Sequence, residues 1–194
     1  MKKHIGLYFG TFNPIHIGHL AIANHMAEFS DIDEVWLVVT PHNPHKKKSS
    51  LLPDYDRLEM AHRATQTYDK LRPSDIEFGL TQPNYTVNTL AHLEEKFPEY
   101  TFALIMGEDN LQSLPKWKNY EVILERYHLL VYPRVYDLKK TPALANHEKV
   151  TYIKAPIMEI SSTFIRNSIK EGKNIRPLLP ASAWEYIDEM GFYS

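Results

Sequence analysis

Two histidines, His16 and His19, stand three residues apart in a loop that follows an apolar segment and precedes an amphipathic one. The apolar segment predicts a strand and the amphipathic segment a helix, so the loop lies where the first N–H groups of a helix lack partners. These donors and the positive end of the helix dipole attract anions. The two imidazole rings can donate to phosphate oxygens, and Gly18 between them adds no bulk beside the backbone. The loop from Gly10 to His19 therefore predicts a phosphate site.

Two other interpretations of the histidine pair stay open from the residues alone. One is a metal site, although the chain has no cysteine and no third ligand stands at a recognisable spacing. The other is a pair of surface histidines on a helix, as most isolated pairs are. Three features favour the phosphate site: Gly10 after an apolar strand, Pro14 in the turn, and a second motif of the same kind further along the chain.

The second motif consists of Ser161, Ser162, Thr163 and Arg166, directly after a predicted strand and at the start of a predicted helix. Hydroxyl side chains there can cap the free backbone donors, so a purely structural N-cap is one interpretation. Arg166 would lie about one turn inside the helix, where its charged fork can reach an anion held at the helix start. One helix start and one arginine suit a polyphosphate.

The elements that must position these motifs alternate along the chain. Strands are predicted at 5–9, 34–40, 100–106, 128–132 and 150–154. Helices are predicted at 20–29, 55–68, 87–97 and 120–126, and the segment from 160 to 194 predicts two more, divided at 176–180. The alternation predicts parallel strands with right-handed crossovers, hence a doubly wound α/β sheet. Ligands of such sheets bind beyond the carboxyl ends of the strands, where both motifs fall.

Composition limits the classes of function. A chain of 194 residues predicts one domain, with a helical part from about residue 160. Its net charge of -2 and pI near 6.5 argue against nucleic acid and favour small ligands. No apolar run approaches the roughly 20 residues of a membrane span, and residues 1–3 lead straight into a strand, so we expect a cytoplasmic protein. Without cysteine there are no disulfides. Assembly into a homo-oligomer stays open.

The two motifs together resemble the nucleotidyltransferase superfamily that carries the His-x-Gly-His signature, present here at residues 16–19. Class I aminoacyl-tRNA synthetases share that signature but are far larger and carry tRNA-binding domains. Three further segments, 41–46, 84–90 and 107–111 with Trp117, resemble bacterial nicotinate-nucleotide adenylyltransferases. The resemblance runs nearly end to end and implies a Rossmann-like nucleotidyltransferase fold.

The resemblance also implies roles for individual residues. The ATP phosphates would lie against both motifs, and ATP's sugar or adenine against the segment after the third predicted strand; this set is Gly10, Thr11, Phe12, His16, His19, Gly107, Asp109, Ser161, Ser162, Thr163 and Arg166. Tyr85, Thr86 and Trp117 would hold the nicotinate ring. Lys46 would approach the phosphate of the mononucleotide, and Arg134 is a further candidate for the same pocket.

Each of these roles has a structural alternative. Trp117 can stack on a pyridinium ring or pack in the core. The helix start after Thr86 can donate to a carboxylate, or Thr86 can be an ordinary N-cap. Lys46 belongs to a basic run of the kind that usually forms a solvated face. Asp109 can simply cap a short helix that starts near Asn110.

Two positions depart from the family pattern. Relatives often have Gly-Gly before the threonine and Asp before the proline, whereas this chain has Phe9-Gly10 and Asn13. Phe9 can continue the strand, although it narrows the room beside the phosphates. Asn13 keeps its hydrogen-bonding capacity but loses the charge, which puts in doubt any role that requires a carboxylate.

The implied reaction is attack by the 5′-phosphate of nicotinate mononucleotide on the α-phosphorus of ATP, which releases pyrophosphate. His16, His19, Lys46 and Arg166 would be the catalytic donors, because the chemistry requires two anions to be aligned and their charge neutralised. Mg²⁺ would arrive with ATP, held by substrate and water, without metal ligands from the protein. Two alternatives remain: a pantetheine-phosphate adenylyltransferase, and a regulator that binds nucleotide without catalysis.

Overall fold

The computed structural model describes residues 2–41, 51–133 and 141–194, and its centre is a six-stranded parallel sheet. The strands are β1 (Lys3–Gly10), β2 (Glu34–Val39), β3 (Leu71–Ser74), β4 (Tyr100–Gly107), β5 (His128–Tyr132) and β6 (Val150–Tyr152). Their order is β3-β2-β1-β4-β5-β6. The order reverses between β1 and β4, and this switch point is where ligands bind in open α/β sheets.

Helices cover both faces of the sheet. Those that pack on one face are α1 (Ile17–Phe29), α2 (Asp54–Thr65), α6 (Ser162–Lys170) and α7 (Ala181–Met190). Those on the other face are α3 (Thr86–Lys96), α4 (Glu108–Ser113) and α5 (Tyr120–Arg126). Short 3-10 turns lie at Leu114–Lys116 and Arg176–Leu178. The doubly wound α/β class predicted from the sequence is confirmed.

The core is split in two by the sheet, because successive side chains of a strand point to opposite faces. In β4, Ala103 and Ile105 pack with α1 and α2, while Phe102, Leu104 and Met106 pack with α3, α4 and α5. Nearly continuous apolar strands are typical of parallel sheets that are covered on both faces.

The sequence missed one strand, the edge strand β3, because Arg72, Pro73 and Ser74 interrupt any apolar pattern. Proline is tolerated at a sheet edge, where one side of the strand needs no ladder hydrogen bonds. The predicted final strand is shorter than expected and ends at Tyr152. The division of the C-terminal segment into two helices is confirmed. Within the described residues, none of the helices is long and apolar enough to cross a membrane.

Candidate functional site

The loop between β1 and α1 brings the two signature histidines together. His16 is the N-cap of α1 and His19 lies in its first turn; their rings stack with centroids 3.6 Å apart. The His16 backbone N–H donates to Nδ1 of His19 at 3.2 Å, so the neutral His19 ring carries its hydrogen on Nε2. His16 is only 4 % exposed. The interpretation as two surface histidines is therefore wrong.

Phe12 packs against the ring of His19. Its φ of 45° is left-handed, and its ring meets that of His19 edge-on with centroids 5.0 Å apart. A Cβ at Gly10 would lie 2.8 Å from the Phe12 ring, so this position requires glycine for the close approach. At Gly18 a Cβ would lie 3.0 Å from the His16 ring. The two glycines thus allow the aromatic and imidazole rings to pack tightly along the loop.

The start of α6 packs directly on this loop. The Ser162 hydroxyl donates to the Pro14 carbonyl at 2.9 Å, and Nη1 of Arg166 donates to the Asn13 carbonyl at 2.7 Å. Ser161 is the N-cap, and its Oγ accepts the Phe164 N–H at 3.2 Å. The second motif therefore both caps its helix and joins the first motif, as its interpretation as part of the same site requires.

Arg57 on α2 binds the loop between β1 and α1 through its guanidinium group, and the sequence analysis did not identify it. Its side chain is fully buried and donates to the carbonyl oxygens of Thr11 at 2.6 Å, Thr40 at 2.9 Å and Leu52 at 3.1 Å. Burial lowers the pKa of the guanidinium, and the adjacent carboxylate of Asp54 opposes this effect. An arginine on the apolar face of an amphipathic helix is the signal that could have identified it.

Asn13 is buried against the protein rather than projecting as a free amide. Its Oδ1 accepts the Leu52 N–H at 3.3 Å and the Tyr193 hydroxyl at 2.8 Å, and the residue is 1 % exposed. Both donors need an acceptor but not a full negative charge. The departure from Asp therefore preserves these contacts.

On the opposite side of the cavity, the start of α3 is open. Tyr85 is the N-cap and makes no side-chain cap, and Thr86 is the first helical residue. The interpretation of Thr86 as an N-cap is therefore wrong, and the first backbone donors of α3 are not covered by a cap side chain. Nζ of Lys118 lies 4.4 Å from the centroid of the Tyr85 ring. A cation and an open helix start both favour an anionic group here.

Glu77 braces this helix start and was also missed from the sequence. The residue is 2 % exposed, and its Oε1 accepts the Thr89 hydroxyl at 2.7 Å. Its backbone carbonyl accepts Nδ2 of Asn84 at 3.1 Å. Burial raises the pKa of Glu77, while the hydroxyls of Thr89 and Thr40 lower it less strongly. The hydrogen bond from Thr89 to Glu77 fixes α3 one turn after Tyr85.

Trp117 and Asp109 complete this part of the site. The half-buried Trp117 lines the cavity and also packs against the core on the side of α3, α4 and α5, so stacking on a ligand ring stays a prediction. Asp109 is the second residue of α4 and lines the cavity, whereas the N-cap is Gly107. The interpretation of Asp109 as a cap is therefore wrong. Gly107 is buried, ends β4 and does not line the cavity.

Most of these groups surround one cavity of about 640 Å³. The predicted residues that line it are Gly10, Thr11, Phe12, His16, His19, Tyr85, Thr86, Asp109, Trp117, Ser161, Ser162, Thr163 and Arg166. Those that the sequence did not identify include Tyr8, Glu77, Asn84, Lys116, Lys118, Tyr132 and Met158. Lys46 and Arg134 lie outside the described residues. Phe9 continues β1 as expected and also lines the cavity.

The cavity carries hydrogen-bond donors and cationic side chains. In the part of the chain that the structure describes, no three His, Asp or Glu side chains cluster in a way that could hold a metal ion. The histidine pair therefore has no third ligand among these residues. A divalent ion bound here would depend mainly on phosphate and water oxygens, as Mg²⁺ commonly does.

Comparisons with known proteins agree with this geometry. The sequence matches the cytidylyltransferase-like family over residues 7–168. It is 65 % identical over 193 residues to a protein of Christiangramia forsetii named "Probable nicotinate-nucleotide adenylyltransferase", with 100 % of both chains covered. It is 66 % identical over 189 residues to a protein of Flavobacterium johnsoniae with the same name, covering 97 % of this chain and 98 % of the relative.

A solved structure shares the fold. The nicotinic acid mononucleotide adenylyltransferase of Plasmodium falciparum, solved in complex with NaAD, superposes with a TM-score of 0.82 at 20 % identity. The superposition covers 98 % of this chain and 97 % of that one. Fold, signature motifs and full-length identity agree: this chain belongs to the cytidylyltransferase-like family and, within it, to the nicotinate-nucleotide adenylyltransferases.

Proposed function

We propose that this chain transfers the adenylyl group of ATP to nicotinate mononucleotide, giving nicotinate adenine dinucleotide and pyrophosphate in NAD biosynthesis. One observation carries the proposal beyond family membership: a single cavity joins the two phosphate motifs to the open start of α3 and the face of Trp117. The first pair suits a polyphosphate, and the second suits an aromatic ring that bears a carboxylate. A bisubstrate transfer requires both within one cavity.

The chemistry needs no covalent intermediate with the protein. The 5′-phosphate of the mononucleotide is already ionised, so it attacks the α-phosphorus of ATP directly and pyrophosphate leaves. Catalysis then consists of bringing two anions into line and stabilising the charge that develops on the leaving group. We assign these tasks to His16, His19 and Arg166, together with Lys46 outside the described residues.

The local contacts give these donors defined directions. His19 uses Nδ1 to accept a backbone N–H, which leaves Nε2 as its donor. Arg166 is held by the Asn13 carbonyl and by the Thr163 hydroxyl, 3.3 Å from its Nη2. Side chains that are already oriented lose little entropy when the phosphates bind. The proposed phosphate site is therefore preorganised.

Nucleotidyltransferases of this kind typically use a divalent metal ion with ATP. We propose Mg²⁺, which when bound to the triphosphate would neutralise part of its charge. The loop donors and Arg166 would then bind the remaining phosphate oxygens. We further propose that residues 1–194 act as one domain on these small molecules in the cytoplasm, without a nucleic acid or membrane partner.

Pyrophosphate release from MgATP tests the proposal when nicotinate mononucleotide, nicotinamide mononucleotide and phosphopantetheine are offered separately. We expect strong preference for the first, because donors built to pair a carboxylate are left unpaired by an amide. Preference for phosphopantetheine would overturn the acceptor and leave the ATP site intact. Silence with all three would favour a regulator that binds nucleotide without catalysis.

A further inference from the structure

The segment after α7 folds back onto the phosphate loop. Helix α7 ends at Met190, and Gly191 takes a left-handed φ of 64° as its C-cap. The Phe192 N–H then returns to the Ile187 carbonyl at 3.0 Å, which closes the helix end. Tyr193 has a φ of 67° as well. These turns direct the Tyr193 side chain towards the loop instead of along the helix axis.

The Tyr193 hydroxyl reaches Asn13, 180 residues earlier in the chain, at 2.8 Å. Asn13 Oδ1 is the acceptor in this bond, because the same oxygen also accepts the Leu52 N–H. Burial raises the pKa of Tyr193 and outweighs the opposing charges of Arg166 and Arg57. The hydroxyl therefore stays protonated and remains a donor across the working range of pH.

Asn13 and Pro14 form the turn that determines where the loop goes before α1 begins. Arg166 binds the Asn13 carbonyl and Ser162 binds the Pro14 carbonyl, both from the α6 side. Tyr193 binds the Asn13 side chain from the C-terminal segment. Since His16 follows two residues later, a displacement of the turn would displace the N-terminus of α1 and both histidine rings.

We propose that Tyr193 is a positioning residue for the phosphate loop: through Asn13 it holds the turn so that the α1 N-terminus and the two histidines face the cavity. It acts through Asn13 and is not assigned contact with substrate. The inference rests on the proposed function of this loop as the ATP phosphate site. Its direct consequence for the loop itself does not depend on which acceptor the protein uses.

The test compares Tyr193→Phe with Tyr186→Phe. The Tyr186 hydroxyl donates to Oδ1 of Asp56 at 2.9 Å, so it also joins the C-terminal segment to α2, but not to the loop. Each variant removes one hydroxyl and its hydrogen bond and keeps the ring. Three quantities are measured: the affinity for MgATP by calorimetry without acceptor, the KM for each substrate, and amide exchange over residues 11–20.

We expect Tyr193→Phe to weaken MgATP binding by about five- to tenfold, the size of one lost hydrogen bond, with the KM of the mononucleotide within about twofold of wild type. Exchange over residues 11–20 should accelerate in this variant alone. Affinity or exchange unchanged from wild type would overturn the inference, as would an equal loss in Tyr186→Phe, which would indicate general loosening of α7. The exchange comparison needs no ligand, so it tests Tyr193 even if no adenylyl transfer is found.

Discussion

The two sides of the cavity are held in different ways. On the side proposed for ATP, the loop from Gly10 to His19 is bound by Arg57, Arg166 and Tyr193, which lie 46, 153 and 180 positions from the loop residues that they contact. On the mononucleotide side, the start of α3 is braced by Glu77, only 12 residues from its partner Thr89. The first side depends on tertiary contacts to two backbone carbonyls and the Asn13 side chain, and the second on a hydrogen bond between side chains close in sequence.

This difference indicates which substitutions will affect the cavity from positions distant in the sequence. A loop that offers carbonyl oxygens to a buried guanidinium cannot lose that donor cheaply, because several acceptors become unsatisfied together. A helix start with its own backbone donors keeps most of its binding capacity when one neighbouring side chain is changed. We therefore expect the largest effects on the ATP side and graded effects on the mononucleotide side.

Replacement of Arg57 by Met should be the most damaging change. It leaves the carbonyls of Thr11, Thr40 and Leu52 without their donor, and we expect a loss of about 3–5 kcal/mol in the free energy of unfolding, measured with urea. Arg63→Met on the same helix is the control. Its ion pair with Glu59, 2.7 Å long, is exposed to solvent, so the loss should be much smaller than that of Arg57→Met. Equal losses of stability in both variants would show that Arg57 does not hold the loop more strongly than an exposed arginine would.

His19→Ala should lower turnover by roughly 10²-fold, the range for loss of one transition-state donor. The reason is that Nε2 of His19 is its remaining donor once Nδ1 has accepted the His16 N–H. Steady-state pyrophosphate release measures this change. His25→Ala is the control on the same helix, where the ring stacks on Phe29 instead. Near-wild-type turnover in His19→Ala would exclude this ring from catalysis.

Trp117→Ala should raise the KM of nicotinate mononucleotide by about tenfold and leave that of ATP nearly unchanged, because the aromatic face is lost on one side of the cavity only. Trp117→Phe keeps an aromatic ring and should recover most of the affinity. Initial rates with each substrate varied in turn give both constants. If both KM values rise together, or if the variant fails to fold, the packing of Trp117 in the core is its main role.

The smallest effect concerns Glu77 and pH. Burial raises its pKa above the ordinary value near 4.5, so the folded chain retains a proton that the unfolded chain releases. This contribution to stability is complete below about pH 4.5 and is lost as the pH rises through the raised pKa, with a slope of at most about 1.4 kcal/mol per pH unit. Glu77→Gln has no such proton.

Urea unfolding between pH 4 and 8 measures this difference. The stability of Glu77→Gln relative to wild type should increase as the pH rises from 4.5 through the raised pKa and then level off. The amide oxygen can still accept from Thr89, so the KM of the mononucleotide should change little. Parallel pH profiles for the two proteins would mean that Glu77 is ionised when buried and that the local bracing is a charged one.

Much of the fold was predictable because the helices and strands follow the local spacing of apolar residues in the sequence. The buried strands β1, β2, β4 and β5 have apolar runs with sharp ends, and both C-terminal helices were predicted. The strand β3 was not predicted. It is an edge strand that contains Pro73, so it makes few ladder hydrogen bonds and its sequence shows no apolar pattern. The N-caps of α3 at Tyr85 and of α4 at Gly107 differed from expectation because the position of an N-cap depends on the conformation of the backbone that leads into the helix.

The sequence by itself determined the parallel α/β class, and it predicts a phosphate site at the loop Gly10–His19 and the helix start at Ser161, with Trp117 as the aromatic candidate. These depend on residue types and spacings within a few positions of one another. Only the tertiary structure decided that Arg57, Tyr193 and Glu77 hold the cavity together. Such partners are chosen by geometry, since a buried carbonyl or amide takes whichever donor the packed chain brings within 3 Å, and no local pattern records that distance.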